Sequence, residues 1–468
     1  MKTKMLVTIG PSSGNPTIID AFMREGVSGF RINFSHGNQH VWSEYVELIR
    51  NAERECKVNV ALIGDLKGPQ VRIGDFKSFR IMKGDFVRLI LSDKTDEDKT
   101  IPINNRRVLE VLDIGDLVLL DDGKIRLHVY DIKGEEATLL ALNDGMISSK
   151  KTLIISGKDL DLPVITQYDI KCIEYAIEKE FTYLALSYVR TARDIATLRE
   201  LLDKKGGSDI GIIAKIETRK AIHDLSSILR EVDACIVARG DLGMHYNLEE
   251  IPILQERIIY EAIEKGRPVI VATQLLESMM TKPQPTRSEI VDIMSTVRDH
   301  VDALLLTGET AIGEYPIEAV KWLKRVINKA EELAIKEGSF LRARQENVID
   351  VKDKFARGLV LMAESLNSKI VVYTKTGFMP SRLSRLRPKV MILAGTSKKA
   401  IAQRLSIYYG IKAFVVGRSD QDYDYEQGLE LLYEKLIRDG MLNLGDTVLQ
   451  TYGKKEEVLY IVKIVYVI

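Results

Sequence analysis

Residues 211–246 read GIIAKIETRKAIHDLSSILREVDACIVARGDLGMHY. Two apolar runs, 211–214 and 234–238, are each too short for a helix and rich in Ile and Val, as buried parallel strands are. An amphipathic segment over about 219–230 separates them, so the unit reads β-α-β. Lys215 and Glu217 follow the first run; Arg239 and Asp241 follow the second. Charged residues at the carboxyl ends of neighbouring parallel strands converge on one rim, where α/β folds place their chemistry. For either strand alone a structural ion pair is the better reading. The same pattern on both favours a divalent-cation site with a cationic group beside it.

The same rhythm continues on both sides. Upstream, strands are expected over 5–9, 29–32 and 60–63, with helices over 17–25 and 40–55. Their polar ends are Gly10-Pro11-Ser12-Ser13, Asn33-Phe34-Ser35-His36-Gly37 and Gly64-Asp65-Leu66-Lys67-Gly68-Pro69. Downstream come a helix over 167–180, a strand over 183–186, a helix over 192–204, and strands over 269–272 and 303–306. A helix over 316–336 follows, with Pro316 in its first turn. Eight strands with interleaved helices are a (β/α)₈ TIM barrel, built from 1–70 and 162–338. Between them, 71–161 carries short β-like runs (FVRLIL, LVLLDDG, RLHVYDIKG, ATLLAL) broken by Gly-containing turns. This predicts an inserted all-β domain, a small β-barrel placed to close over the rim as a lid. After a polar joint at 338–353, residues 339–468 read as a C-terminal α/β open-sheet domain, with strands over 370–373, 390–393 and 413–416 and a β-like end, YIVKIVYVI. Two of its turns, Thr374-Lys375-Thr376-Gly377 and Gly395-Thr396-Ser397, suit a phosphate or, equally, plain helix capping.

Composition narrows the function classes. A chain of 468 residues exceeds one core, and 45% hydrophobic with 29% charged residues is ordinary for globular domains. Lys plus Arg and Asp plus Glu are both 67, so net charge gives no reason to expect nucleic acid or a membrane as partner. No apolar run approaches the roughly 18 residues of a membrane span, and the start does not read as a signal peptide. Cys56, Cys172 and Cys235 are scattered, which fits free thiols in a reducing cytoplasm. GxxxxGK[ST] and GxGxxG are absent, and His36 and His40 lack the Glu of a zinc helix. What remains is a rim inventory: Arg31, Asn33, Ser35, Asp65, Lys67, Arg72, Lys215, Glu217, Asp241 and Thr273. That set can hold a phosphate, a divalent metal and a carboxylate together, as phosphoryl transfer requires.

FRINFSHG (30–37), GDLKGPQVR (64–72), IIAKIET (212–218), VARGDLG (237–243), ATQLLESM (272–279), PTRSEI (285–290) and TGETAIGEYPIEAV (307–320) closely resemble the pyruvate kinase family. The resemblance covers the barrel almost completely, the insert loosely and the third domain in outline. It implies transfer of a phosphoryl group from phosphoenolpyruvate to ADP, giving pyruvate and ATP at the end of glycolysis. It also implies a homotetramer, Mg²⁺ (with Mn²⁺ as a possible substitute), and K⁺. Glu217 and Asp241 match the Mg²⁺ carboxylates, and Lys215 the lysine that neutralises the phosphoryl group and the enolate. Arg31 matches a substrate contact, while Arg239, Gly240, Asp241 and Thr273 match positions around the substrate carboxylate. Asn33, Ser35, His36 and Arg72 match nucleotide contacts; Asn33, Ser35, Asp65 and the Leu66 carbonyl match the K⁺ shell.

Departures from the family pattern carry expectations of their own. Thr166-Gln167-Tyr168-Asp169 stands where SEKD is usual, so one nucleotide lysine is missing, with Lys158 and Lys151 as candidate substitutes. Leu66 and Gln70 replace Thr and Glu around KGP. K⁺ is therefore expected to bind without being strictly required, with Asp65 left as the main uncompensated carboxylate. Tyr452-Gly453-Lys454-Lys455-Glu456-Glu457 replaces a Gly-rich loop, which speaks against fructose bisphosphate. A smaller phosphorylated effector, a nucleoside or sugar monophosphate, is expected at Thr374, Lys375, Thr376 and Gly377. Two other classes stay open: a different Mg²⁺ barrel enzyme that makes an enolate, and an inactive relative acting as a sensor.

Overall fold

The apolar runs pair as eight parallel strands in a computed structural model that describes residues 1–121, 123–337, 351–418, 421, 423–454 and 459–467. They are β1 (Lys4–Ile9), β2 (Gly29–Asn33), β3 (Ala61–Asp65), β4 (Tyr183–Leu186), β5 (Gly211–Ile216), β6 (Ala234–Ala238), β7 (Val269–Ala272) and β8 (Ala303–Leu306). Each pairs with its sequence neighbours, and β1 closes the ring on β8 with Met5 opposite Leu304. Because side chains alternate along a strand, Leu6, Ile63, Tyr183, Ile213, Ile236, Ile270 and Leu305 fill the barrel, while Met5, Val7, Leu62 and Leu184 face the helices. The segment expected as one helix over 219–230 is two, Arg219–His223 and Leu225–Glu231. They meet at Asp224, whose carboxylate accepts the N–H of Ala192 on the neighbouring helix (2.9 Å).

The insert leaves at the carboxyl end of β3. Its main sheet orders strands 153–155, 117–120, 125–133, 136–141, 86–91 and 100–103, beside a two-stranded ribbon. It also holds a helix, Arg106–Val111, that the sequence reading did not foresee; six residues are too few for a helical period to emerge. Asn105 caps it, accepting the N–H of Arg107.

The third domain begins with the helix Val351–Ser365. Strands β9 (Lys369–Tyr373), β10 (Ile392–Thr396), β11 (Ile411–Val415) and β12 (Thr447–Lys454) are parallel, and β13 (Leu459–Tyr466) runs antiparallel at one edge. The expected strands at 390–393 and 413–416 are shifted by about two residues. β12, beside β9, was not foreseen because Gln450 and Thr451 interrupt its apolar run; Thr451 is buried with its hydroxyl donating to Ile461 O (2.8 Å). The joint residues 338–350 and the substituted positions Lys455, Glu456 and Glu457 lie outside the described residues. Tyr452, Gly453 and Lys454 end β12. This domain closes the amino-terminal mouth of the barrel: Ile407 joins the barrel-interior cluster, and the Tyr183 hydroxyl donates to Arg404 O (2.9 Å). Among the described residues no helix is long and apolar enough to cross a membrane.

Candidate active site

Strand alternation carries charge to the carboxyl-end rim. Ile213, Lys215 and Glu217 share one face, as do Ala61, Ile63 and Asp65; the apolar members fill the barrel and the charged ones crown it. Lys215 Nζ donates to Ser187 Oγ (2.9 Å) and lies 3.2 Å from Glu217 Oε2 and 3.8 Å from Asp65 Oδ1. Asp65 Oδ2 accepts from Arg31 Nε (2.6 Å), and Arg31 Nη1 donates to Thr8 Oγ1 (3.0 Å). Burial would push the Lys215 ammonium down, but Asp65, Glu217 and Asp241 outweigh it and hold the pKa well above the ordinary lysine value. Asp65 is likewise held below the usual carboxylate range: burial opposes ionisation, and Lys215 and Arg31 overcome it. Glu217 goes the other way. Burial lifts it, with Lys215 opposing and Asp241 adding, to about 7.

Glu217 Oε1 accepts the N–H of Tyr188 (2.6 Å), whereas the buried Oε2 makes no directed hydrogen bond. Three carboxylates (Asp65, Glu217, Asp241) outnumber two cations (Lys215, Arg31) once Glu217 is ionised. A buried carboxylate oxygen with no directed hydrogen bond, facing the Lys215 ammonium at 3.2 Å, can also serve a hard divalent cation. Among the described residues no group of three His, Cys, Asp or Glu side chains is placed to hold a metal by itself.

Arg239 is placed differently from a substrate contact. Its guanidinium is buried and donates to Thr273 O (2.8 Å), Gln274 O (2.8 Å) and both Asp292 oxygens (2.9 and 2.7 Å). Thr273 and Gln274 have φ of +69° and +53°, a conformation costly for non-glycine residues. Arg239 braces that turn through both carbonyls. Thr273 Oγ1 in turn accepts the N–H of Gly240 (2.9 Å), which ties the ends of β6 and β7 together.

The nucleotide candidates lie along the rim. Asn33 Oδ1 accepts the N–H of Ser35 (3.0 Å) and His36 is exposed. Arg72 donates to Gln70 Oε1 (2.6 Å) and Lys150 O (2.9 Å) at the root of the insert. The Leu66 carbonyl, expected in a K⁺ shell, accepts from Ser187 Oγ (2.7 Å). Lys158 and Lys151 are engaged within the insert, Lys158 with Asp113 (2.6 Å) and Asp116 (2.7 Å), Lys151 with Asp121 (2.9 Å). Sequence reading passed over Thr8, Ser187, Tyr188 and Asp292. The first three stand at or just past the carboxyl ends of β1 and β4, so applying the strand-end rule to every strand finds them; Asp292, on a helix, gives no such signal.

In the third domain, the N–H groups of Thr376 and Gly377 donate to Thr374 Oγ1 (3.4 and 2.9 Å), a turn that leads into the helix Phe378–Arg385 without a side chain capping that helix. Lys375 Nζ stands 5.4 Å from the ring of Tyr425. Beside the turn is a cavity of about 310 Å³ lined by Lys352, Thr374, Thr376, Phe378 and Tyr425.

Residues 1–320 match the barrel domain of pyruvate kinase and residues 353–464 its alpha/beta domain. The chain is 36% identical to a pyruvate kinase of Aeropyrum pernix, covering 98% of each, and 34% identical to one of Pyrobaculum aerophilum, covering 92% and 91%. A crystal structure of the Pyrobaculum aerophilum pyruvate kinase superposes with a TM-score of 0.87 at 32% identity, over 99% of both chains. That of a pyruvate kinase from Cryptosporidium parvum gives 0.92 at 28% identity, over 100% of this chain and 96% of the other. Barrel, rim and relatives together define a phosphotransferase. The chain belongs to the pyruvate kinase family.

Proposed function

We propose that the rim transfers the phosphoryl group of phosphoenolpyruvate to ADP, with Lys215 at the centre of the chemistry. The observation that carries this is a lysine held in its charged form by three carboxylates, one of which, Glu217, keeps a buried oxygen without a hydrogen bond. Glu217 and Asp241 would hold Mg²⁺ or Mn²⁺, which when bound neutralises substrate oxygens. Lys215 and Arg31 flank the phosphoryl group, so negative charge developing on it and on the enolate oxygen meets fixed positive charge in a buried site. Lys215 keeps its proton throughout. Thr273 Oγ1 accepts from Gly240, leaving its own hydrogen to donate to the substrate, and Gly240 and Asp241 present backbone to the substrate carboxylate. Arg239 acts as a positioning residue for this turn. Asn33, Ser35, His36 and Arg72 receive the nucleotide, under an insert that closes as a lid.

The finer proposals follow the family. The working form is a homotetramer in the cytoplasm, a location supported by free Cys56, Cys172 and Cys235. K⁺ binds among Asn33, Ser35, Asp65 and the Leu66 carbonyl without being required. A phosphorylated effector smaller than a bisphosphate enters the cavity beside Thr374, Lys375, Thr376 and Gly377. There, Thr376→Glu is expected to abolish activation without altering the unactivated rate. A coupled assay with phosphoenolpyruvate, ADP and Mg²⁺ tests the central reading. Pyruvate formation that requires all three supports it; enolate chemistry without ADP, or no turnover, would replace it with one of the other classes.

A further inference from the structure

The rim must also hold a polyanionic nucleotide, and most of its cations are already committed. Arg31 and Lys215 are paired with Asp65 and Glu217, Arg239 with Asp292, and Lys158 and Lys151 with carboxylates of the insert. Lys67 and Arg72 differ: Arg72 donates only to the neutral Gln70 Oε1 and Lys150 O, and among the described residues no carboxylate lies within ion-pair distance of Lys67, whose ammonium stands 6.0 Å from the centroid of the Tyr168 ring. That is the outer edge of a cation–π contact, so a phosphate oxygen competes with it easily.

This placement is built, not incidental. Gly68, next to Lys67, donates its N–H to the buried Asp169 carboxylate (3.2 Å), and Asp169 also closes the capping box with Thr166. Gly68 has φ +68°, and a Cβ there would meet the Tyr188 ring at 3.0 Å and Ser187 at 3.2 Å, so the loop has one course. The Tyr168 hydroxyl donates to Phe34 O (2.7 Å), in the loop that carries Asn33, Ser35 and His36. Three segments, 33–36, 67–68 and 168–169, are thus locked together with an uncommitted ammonium at their junction.

We infer that Lys67 joins Arg72 in holding the phosphates of the nucleoside diphosphate, and that Tyr168 is a positioning residue, a shelf that keeps Lys67 beside the 33–36 loop. The inference rests on the phosphoryl-transfer reading above and adds a group that binds one of its substrates. Binding of Mg–ADP and steady-state kinetics on the full-length protein test it. Lys67→Met is expected to raise both the Kd and the KM for ADP by roughly tenfold or more, the scale of one charge-assisted contact. The KM for phosphoenolpyruvate stays within about twofold, as expected of a group that touches only the nucleotide. Lys67→Arg keeps most of the affinity. Lys67→Met combined with Tyr168→Lys recovers it, because the second change returns a cation to the same junction. Should Lys67→Met fail to fold, Tyr168→Ala reads the same loss from the helix end, as a higher KM for ADP at unchanged kcat. Unchanged ADP affinity in a folded Lys67→Met protein, with the wild type active, overturns the inference alone. Equal losses for both substrates overturn it in favour of a structural role. A wild type that transfers no phosphoryl group to ADP overturns the reading beneath it instead.

Discussion

The two ends of the barrel each bury a lysine, and the two lysines are shifted in opposite directions. At the carboxyl-end rim, Lys215 is held charged by Asp65, Glu217 and Asp241. At the amino-terminal mouth, burial pushes Lys4 down to about 8, against a weaker pull from Glu331, and its ammonium donates to the carbonyl of Ile411 in the third domain (2.5 Å). The carboxylates differ in the same sense. Asp302, at the mouth, has every acceptor position filled: Arg387 Nη1 and the N–H of Tyr409 on Oδ1, Arg387 Nη2 and the N–H of Val269 on Oδ2. Glu217, at the rim, has a buried oxygen that makes no directed hydrogen bond and only faces the Lys215 ammonium at 3.2 Å. Similar residue types therefore serve two ends. A carboxylate with all its acceptor positions filled joins domains, and one with acceptor capacity to spare stands where a ligand would bind.

Asp302 is the place for the largest expected effect. Arg387→Met strands Asp302 in a buried interface and is expected to cost about 3–5 kcal/mol of stability, the usual result of removing one partner from a buried pair. Denaturant unfolding measures it, and kcat per folded molecule is expected to stay near the wild-type value. A large loss of kcat with unchanged stability would erase the distinction between the two ends.

At the rim the outcome is reversed. Lys215→Met is expected to lower kcat by roughly 10²- to 10³-fold, or about 3–4 kcal/mol in the barrier, the scale of losing one stabiliser of transition-state charge. Folding and divalent-metal binding through Glu217 and Asp241 are retained. Circular dichroism and Mn²⁺ titration check the second half of that statement. A folded, metal-binding variant with near wild-type kcat would remove Lys215 from the chemistry.

A smaller effect sharpens the contrast through pH. The folded-state pKa of Lys4, about 8, lies below the ordinary 10.5. Below pH 8 the lysine is charged in both states and the fold bears the cost of burying it. Between the two values the unfolded chain holds more protons than the folded one, so this group makes stability rise with pH across that window. Lys4→Met is expected to flatten that rise and to add roughly 1–3 kcal/mol near neutral pH. A wild type that gains nothing relative to the variant between pH 8 and 10.5 would mean that Lys4 is not charged at a cost.

The barrel was legible because its strands are short Ile- and Val-rich runs whose polar residues wait for the carboxyl end, as in KIET and ARGD. Lys215, Glu217 and Asp241 could be read from that position alone. What was not legible is side-chain partnership. Nothing in VARGDLG says that Arg239 turns away to brace the left-handed pair Thr273 and Gln274, because that contact joins two strand ends and a helix carrying Asp292. Strand β12 was hidden for a related reason: the partner that satisfies its buried Thr451 is the carbonyl of Ile461, on the next strand. The missing lysine at Tyr168 was visible in sequence, but the nearness of Lys67 to that ring depends on the bond from Gly68 to Asp169, which joins residues a hundred positions apart.

The monovalent cation is the smallest effect and the finest test of how much negative charge the rim carries. The sequence leaves Asp65 as the main uncompensated carboxylate, and the structure corrects this: Asp65 pairs with Arg31 at 2.6 Å and faces Lys215 at 3.8 Å. Two of the other three shell oxygens are also engaged, Asn33 Oδ1 with the N–H of Ser35 and the Leu66 carbonyl with Ser187. Gln70 accepts from Arg72 and adds no charge of its own. An ion arriving there meets oxygens with spare lone pairs but little charge left to neutralise, so it adds order more than it adds charge. Turnover in tetramethylammonium, at the same ionic strength and with saturating substrates, is therefore expected to retain most of the rate measured in K⁺. Arg31→Met removes the cation closest to Asp65 and is expected to weaken activity generally while making what remains more responsive to K⁺. Activity that vanishes without K⁺ in the wild type and returns in Gln70→Lys would mean that the rim holds more uncompensated charge than its ion pairs account for.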